Sequence, residues 1–124
     1  MEPFAEAYIA CALWSSTDEE GNPLDANYNI STIAPECLQQ MQADCANFEE
    51  TNALLLERWY SECGESPQGA GHDFWLTRNC HGAGFWDRWT GGFQARIGQD
   101  LTEAAHAFGS CYLYVGDDGL LYIQ

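Results

Sequence analysis

Residues 35–63 read PECLQQMQADCANFEETNALLLERWYSEC. Leu38, Met41, Cys45, Phe48, Asn52, Leu55 and Trp59 recur at alternating intervals of three and four, which stacks them along one side of an α-helix. Pro35 suits a first helical position, where the missing N–H would have no partner anyway, and Gly64 supplies a stop. The spacing predicts one long amphipathic helix over about 35–63. Glu36, Asp44, Glu49, Glu50, Glu57 and Glu62 fall off the stripe, which gives a buried seam and an acidic exterior. Asn52 within the seam reads either as a register-setting contact to a partner helix or as a solvated edge position.

Upstream, residues 4–14 place Phe4, Tyr8 and Cys11 at helical spacing among strong helix formers. A loop over 15–32 follows, long for a connection, with Gly21, Asn22 and Pro23 as turn chemistry. Downstream, Ser66-Pro67 caps a helix over about 67–78, in which Gly69 and Gly71 imply close packing or a bend. Residues 79–93 hold four glycines and four aromatics, the composition of an irregular loop or short strand pinned by rings. Asp100-Leu101-Thr102-Glu103 reads as a capping box opening a short helix that ends at Gly109. Cys111–Val115 and Leu120–Ile123 flank Gly116-Asp117-Asp118-Gly119 as a β-hairpin, and 83–89 is expected to add a third strand, because two alone are marginal. The expected class is α+β, about four helices with a small antiparallel sheet. It forms a single domain over 1–124, an acidic helical part to about residue 66 followed by a glycine- and aromatic-rich part.

Nineteen acids face four arginines and no lysine, for a net charge of −15. A typical domain is about 25% charged, half of it acidic, so the acids are only modestly in excess and the bases are depleted. Thirteen acids and one arginine lie in residues 1–66, which therefore carry −12. The remaining residues carry −3 together with all three histidines. This balance excludes a phosphate-tracking nucleic-acid binder, which needs clustered Lys or Arg. It also opposes base stacking by Trp75, Trp86, Trp89, Phe85 and Phe93. No run approaches the roughly 20 apolar residues of a membrane span.

The first residues carry acids and no base, unlike a secretory signal. The six cysteines form no CxxC pair and are expected as buried thiols in a reducing cytoplasm. A zinc site from Cys80, His81 and His72 lacks ligand spacing. No metal or other cofactor is expected.

The strings SPQGAGHDFWLTRN (66–79), HGAGFWDR (81–88), LTEAA (101–105) and LYVGDDGLLY (113–122) resemble a recurrent family of small acidic proteins of tailed phages. The resemblance spans about residues 8–124. In that pattern position 80 is usually Gly and position 111 usually acidic, whereas both are Cys here, which raises the question of whether the two thiols meet. The resemblance implies a phage origin and the cytoplasm of an infected bacterium as the place of action. It assigns no activity.

Three functional readings follow. In the first, the chain binds and inhibits a host nucleic-acid-binding or defence protein in the manner of a DNA mimic, with charge steering the encounter. Asp18, Glu19, Glu20, Asp44, Glu49, Glu50 and Glu57 would form that surface. In the second, His72, Asp73, His81 and Asp87 build a hydrolytic or small-ligand site in which Arg78 and Arg88 clamp an anion. The competing account makes these arginines structural, through ion pairing and the helix dipole. No Walker loop, dinucleotide fingerprint or nucleophile elbow accompanies them, so a non-enzyme is expected. In the third, the 38–59 seam joins a structural or virion-associated homodimer.

Overall fold

A computed structural model describes residues 1–124. It is α+β, with five helices rather than four: α1 (Pro3–Ser15), α2 (Pro35–Thr51), α3 (Ala53–Ser61), α4 (Pro67–Arg78) and α5 (Gly92–His106). Strands β1 (Leu113–Val115) and β2 (Leu121–Ile123) close the chain as an antiparallel hairpin. No helix is long and apolar enough to cross a membrane.

The core forms where α1 crosses α4. Phe4, Tyr8 and Phe74 interleave there, and Phe48 from α2 stacks on Phe74 with ring centroids 4.2 Å apart. Each such side chain, fully withdrawn from water, contributes about 2–3 kcal/mol. Gly71 permits the crossing, because a Cβ there would lie 2.0 Å from the Phe4 carbonyl oxygen. The close packing expected at this glycine is present. Gly69 differs, its nearest neighbour being the Ser66 hydroxyl that caps α4.

The 35–63 segment is not one helix. It breaks at Asn52 (φ −112°, ψ 26°), which ends α2 and starts α3. The Asn52 side chain donates to the Phe48 carbonyl at 3.0 Å, a local bond that competes with helix continuation. The break shifts the phase of the seam. Met41, Cys45 and Phe48 are buried from α2, but α3 buries Leu56 and Trp59 while Asn52 and Leu55 lie half-exposed. The seam is thus spent inside the chain.

The last helix begins at Gly92, eight residues before the expected capping box. Thr102 therefore sits mid-helix, its hydroxyl donating to the Gly98 carbonyl at 2.8 Å. Gly98, within this helix, has a packing role: a Cβ there would lie 2.7 Å from the Phe85 carbonyl and 3.3 Å from the Trp59 ring. Residues 83–89 add no strand. Phe85–Asp87 make one 3-10 turn, with Phe85 buried against Trp59 and Phe48. The hairpin gains its extra support from the segment before α2, where Ile33 bridges Leu121 and the Ala34 N–H donates to the Leu121 carbonyl at 2.8 Å.

Candidate functional site

The fold separates the residues singled out in the second half of the chain. Arg78, at the C-terminal end of α4, is 5% exposed and has no donor facing an open site. Its Nε donates to the Gly109 carbonyl at 2.9 Å and its Nη2 to the Phe108 carbonyl at 3.1 Å. Its Nη1 donates to the Tyr8 hydroxyl and to Asp44 Oδ2, at 3.0 and 2.9 Å. The Phe74 and Phe108 rings lie within 6 Å of the guanidinium carbon. Burial works against the Arg78 charge, and Tyr8 and Asp44 offset it, so its pKa lies above the ordinary arginine value. Arg78 is a structural tie between α1, α2, α4 and the Phe108-Gly109 turn, not an anion clamp.

His72, Asp73, Asp87 and Arg88 do come together, lining a shallow pocket of about 320 Å³ with Leu76, Ala83 and Gly84. Asp73 is 2% exposed, and both its oxygens accept from Arg88, at 2.8 Å each. That bidentate pairing raises the Arg88 pKa. It commits Asp73 to the ion pair, and the structure has no hydrogen bond from a histidine to this carboxylate. Asp87 accepts from the Gly84 N–H at 3.0 Å, which fixes the turn. His72 lies beside the exposed Trp14, ring centroids 6.0 Å apart.

His81 does not line the pocket. It is exposed just past α4, its N–H donating to the Leu76 carbonyl at 3.0 Å. Cys80 Sγ is 4.0 Å from His106 Nε2. All six cysteines are free, and no group of three His, Cys, Asp or Glu side chains is placed to hold a metal ion. The Cys80, His81, His72 set is therefore not assembled.

The acids of α2 do not share one face. At about 100° per residue, Asp44 and Glu49 flank opposite sides of the buried Met41, Cys45, Phe48 row, and Glu50 points directly away from it. Asp44 is engaged by Arg78. Glu49 is half-exposed; partial burial, and then the charge of Glu2, hold its pKa above the usual carboxylate range. Glu50 and Glu57 are exposed, the latter on α3 beyond the break.

Asp18, Glu19 and Glu20 lie in a tight turn closed by the Thr17–Pro23 bridge. Asp18 Oδ1 accepts from the Glu20 and Asn22 N–H groups, at 2.9 and 3.0 Å, which leaves Glu19 and Glu20 exposed at the tip. This turn faces the hairpin across a groove of about 430 Å³, whose far wall is Val115, Gly116 and Asp117. Asn27 and Tyr28 complete it. Tyr28, Val115 and Asp117 carry no site signal in the sequence. Only the bridging of β2 to Ile33 brings a segment about a hundred residues downstream against the acidic turn.

No family model, curated protein or solved structure matches the chain.

Proposed function

We propose that the chain is a binding protein for a basic surface: a phage-type accessory protein that acts in the cytoplasm of an infected bacterium. It occupies a host nucleic-acid-binding or defence protein as a DNA mimic does. The observation that carries this reading is the internal use of the arginines. Arg58 pairs with Glu62, Arg78 with Asp44 and Arg88 with Asp73. Three carboxylates of the 19 are used in these pairs, so sixteen remain outside ion pairs. Arg96 is the one arginine without a carboxylate partner. With no lysine present, the outward field is negative with almost no interspersed cation, a condition that favours rapid encounter with a positive groove.

The acids that serve this reading are Glu19, Glu20, Glu50 and Glu57, with Asp18 and Glu49 beside them; Asp44 serves the fold. Titration against purified basic nucleic-acid-binding proteins in rising salt tests the proposal. The expected result is an affinity that falls with salt and that double-stranded DNA competes away. Salt-insensitive association, or none, overturns it. The hydrolytic alternative has less support, since Asp73 is held by Arg88 and His81 stands apart from the pocket.

A further inference from the structure

We infer that the tyrosine face of the β1–β2 hairpin is an arginine-docking surface, which takes guanidinium groups of a basic partner protein against its rings and the carboxylates of the turn. The inference rests on the basic-partner reading and deepens it by naming the side chain that is recognised and where. Side chains alternate between the two faces of a strand. Leu113 and Leu121 enter the core, so Tyr112, Tyr114 and Tyr122 share the other face. Tyr112 is 56% and Tyr114 37% exposed, and Tyr122 is half-buried. The three rings form one row, with centroids 6.0 Å apart from Tyr112 to Tyr114 and again 6.0 Å from Tyr114 to Tyr122.

The row is held from both ends. The Tyr112 hydroxyl donates to Gln124 Oε1 at 3.0 Å, and the Tyr122 hydroxyl donates to Asp118 Oδ2. Gly116 gives the Tyr122 ring its seat, because a Cβ there would lie 2.5 Å from Tyr122 Cε2. Cross-strand ring packing by itself stabilises a hairpin, but that role needs no carboxylates beside the rings. Here Tyr114 and Tyr122 line a shallow pocket of about 410 Å³ together with Asp117 and Asp118. The Tyr122 hydroxyl and the Leu120 N–H hold the Asp118 carboxyl below the usual aspartate range, which favours its charged form.

Charge complementarity specifies the occupant. Residues 111–124 contain two acids and no base. The chain's own arginines do not serve these rings: Arg58, Arg78 and Arg88 pair elsewhere, and the cation–ring contacts of the fold are those of Arg78 with Phe74 and Phe108. An electron-rich ring face beside a carboxylate attracts a cation. Guanidinium suits it better than ammonium, since its plane lies flat on a ring while its N–H fork reaches a carboxylate.

The test uses the full chain and two fluorescently labelled peptides of equal charge, hexa-arginine and hexa-lysine. At the same low salt, hexa-arginine is expected to bind about fivefold or more tighter, and to shift the NMR resonances of the Tyr114 and Tyr122 rings. Tyr114→Leu keeps an apolar side chain on the strand and removes the ring face. It should bring the two peptides towards equal affinity, through loss of hexa-arginine binding, while hexa-lysine binding is little changed. Asp117→Asn/Asp118→Asn should weaken hexa-arginine more than Glu50→Gln/Glu57→Gln, which removes the same charge from the helices. The ring shifts are read on the unaltered chain, so they decide the matter even if a variant loosens the hairpin.

Ring resonances that stay in place while hexa-arginine binds overturn the tyrosine-face inference and leave the basic-partner reading standing. Equal affinity of the parent chain for both peptides does the same, as does an arginine preference that survives Tyr114→Leu in an intact hairpin. Absence of peptide binding at low salt also overturns it. If basic proteins then fail to bind as well, both readings fall.

Discussion

Arg78 Nη1 stands 2.9 Å from Asp44 Oδ2, so an arginine expected to clamp an anion and an aspartate expected to face a partner neutralise each other inside the fold. Replacing Arg78 with Met leaves Asp44 and the Tyr8 hydroxyl without their shared donor and frees the Phe108 and Gly109 carbonyls. Removal of one member of a largely buried pair costs about 3 kcal/mol or more. Urea unfolding should show a lowered midpoint and an unfolding free energy smaller by that amount. Asp44→Asn should cost less, and the two changes should be non-additive. An Arg78→Met protein of unchanged stability would contradict the structural role.

The α1–α4 crossing makes a paired prediction. Gly71→Ala places a methyl group 2.0 Å from the Phe4 carbonyl oxygen and should destabilise by about 2–3 kcal/mol. Gly69→Ala, two residues earlier, meets only the Ser66 hydroxyl at 3.2 Å. It should stay within about 1 kcal/mol of the parent. Thermal melts of the two variants check the contrast, and equal effects would count against the crossing.

Cys80 occupies the position after α4 that favours glycine. Its φ is 55°, and the bonds from Cys80 N–H to the Thr77 carbonyl and from His81 N–H to the Leu76 carbonyl complete a Schellman turn. Cys80→Gly should therefore stabilise the protein by about 1 kcal/mol. A lower melting temperature would mean that the thiol's contact with His106 outweighs backbone strain.

Glu49 supplies the pH dependence. Partial burial and Glu2 raise its pKa in the folded chain, so the folded state binds this proton more tightly than the unfolded state does. Its contribution is favourable at low pH and is lost as pH rises through the folded value. Glu49→Gln should melt higher than the parent at neutral pH. The difference should vanish below about pH 4, where the carboxyl is protonated in both states. A difference that persists in acid would point to a packing effect instead of charge.

The sequence made several elements legible through short-range chemistry. Phe4, Tyr8 and Cys11 marked α1, Ser66-Pro67 opened α4, and the turn at 116–119 marked the hairpin; the structure holds all three. What it hid depended on distant partners. The Asp100-Leu101-Thr102-Glu103 pattern imitates a capping box but lies inside α5, which starts at Gly92, and Gly98 is accommodated there by the close approach of Phe85 and Trp59. The 3-4 spacing ran unbroken through Asn52, so nothing local exposed the phase change that buries Leu56 in place of Leu55. Among site residues, Asp73 and Arg88 were named as candidates, but only the three-dimensional pairing assigns their charge to the fold. The groove between Glu19-Glu20 and Val115 was invisible because its walls are about a hundred residues apart.

The siting of the four arginines also governs how the chain meets a protease that cuts after basic residues. With no lysine, such an enzyme has four places to cut. Arg58, Arg78 and Arg96 lie within α3, α4 and α5, where the backbone is not in the extended form a protease cleft grips. Arg88, beyond the 3-10 turn, is held by Asp73. Tryptic cleavage is therefore expected to depend on local or global opening around these four sites, and where cleavage outpaces reclosing the loss of the intact band reports the rate of that opening.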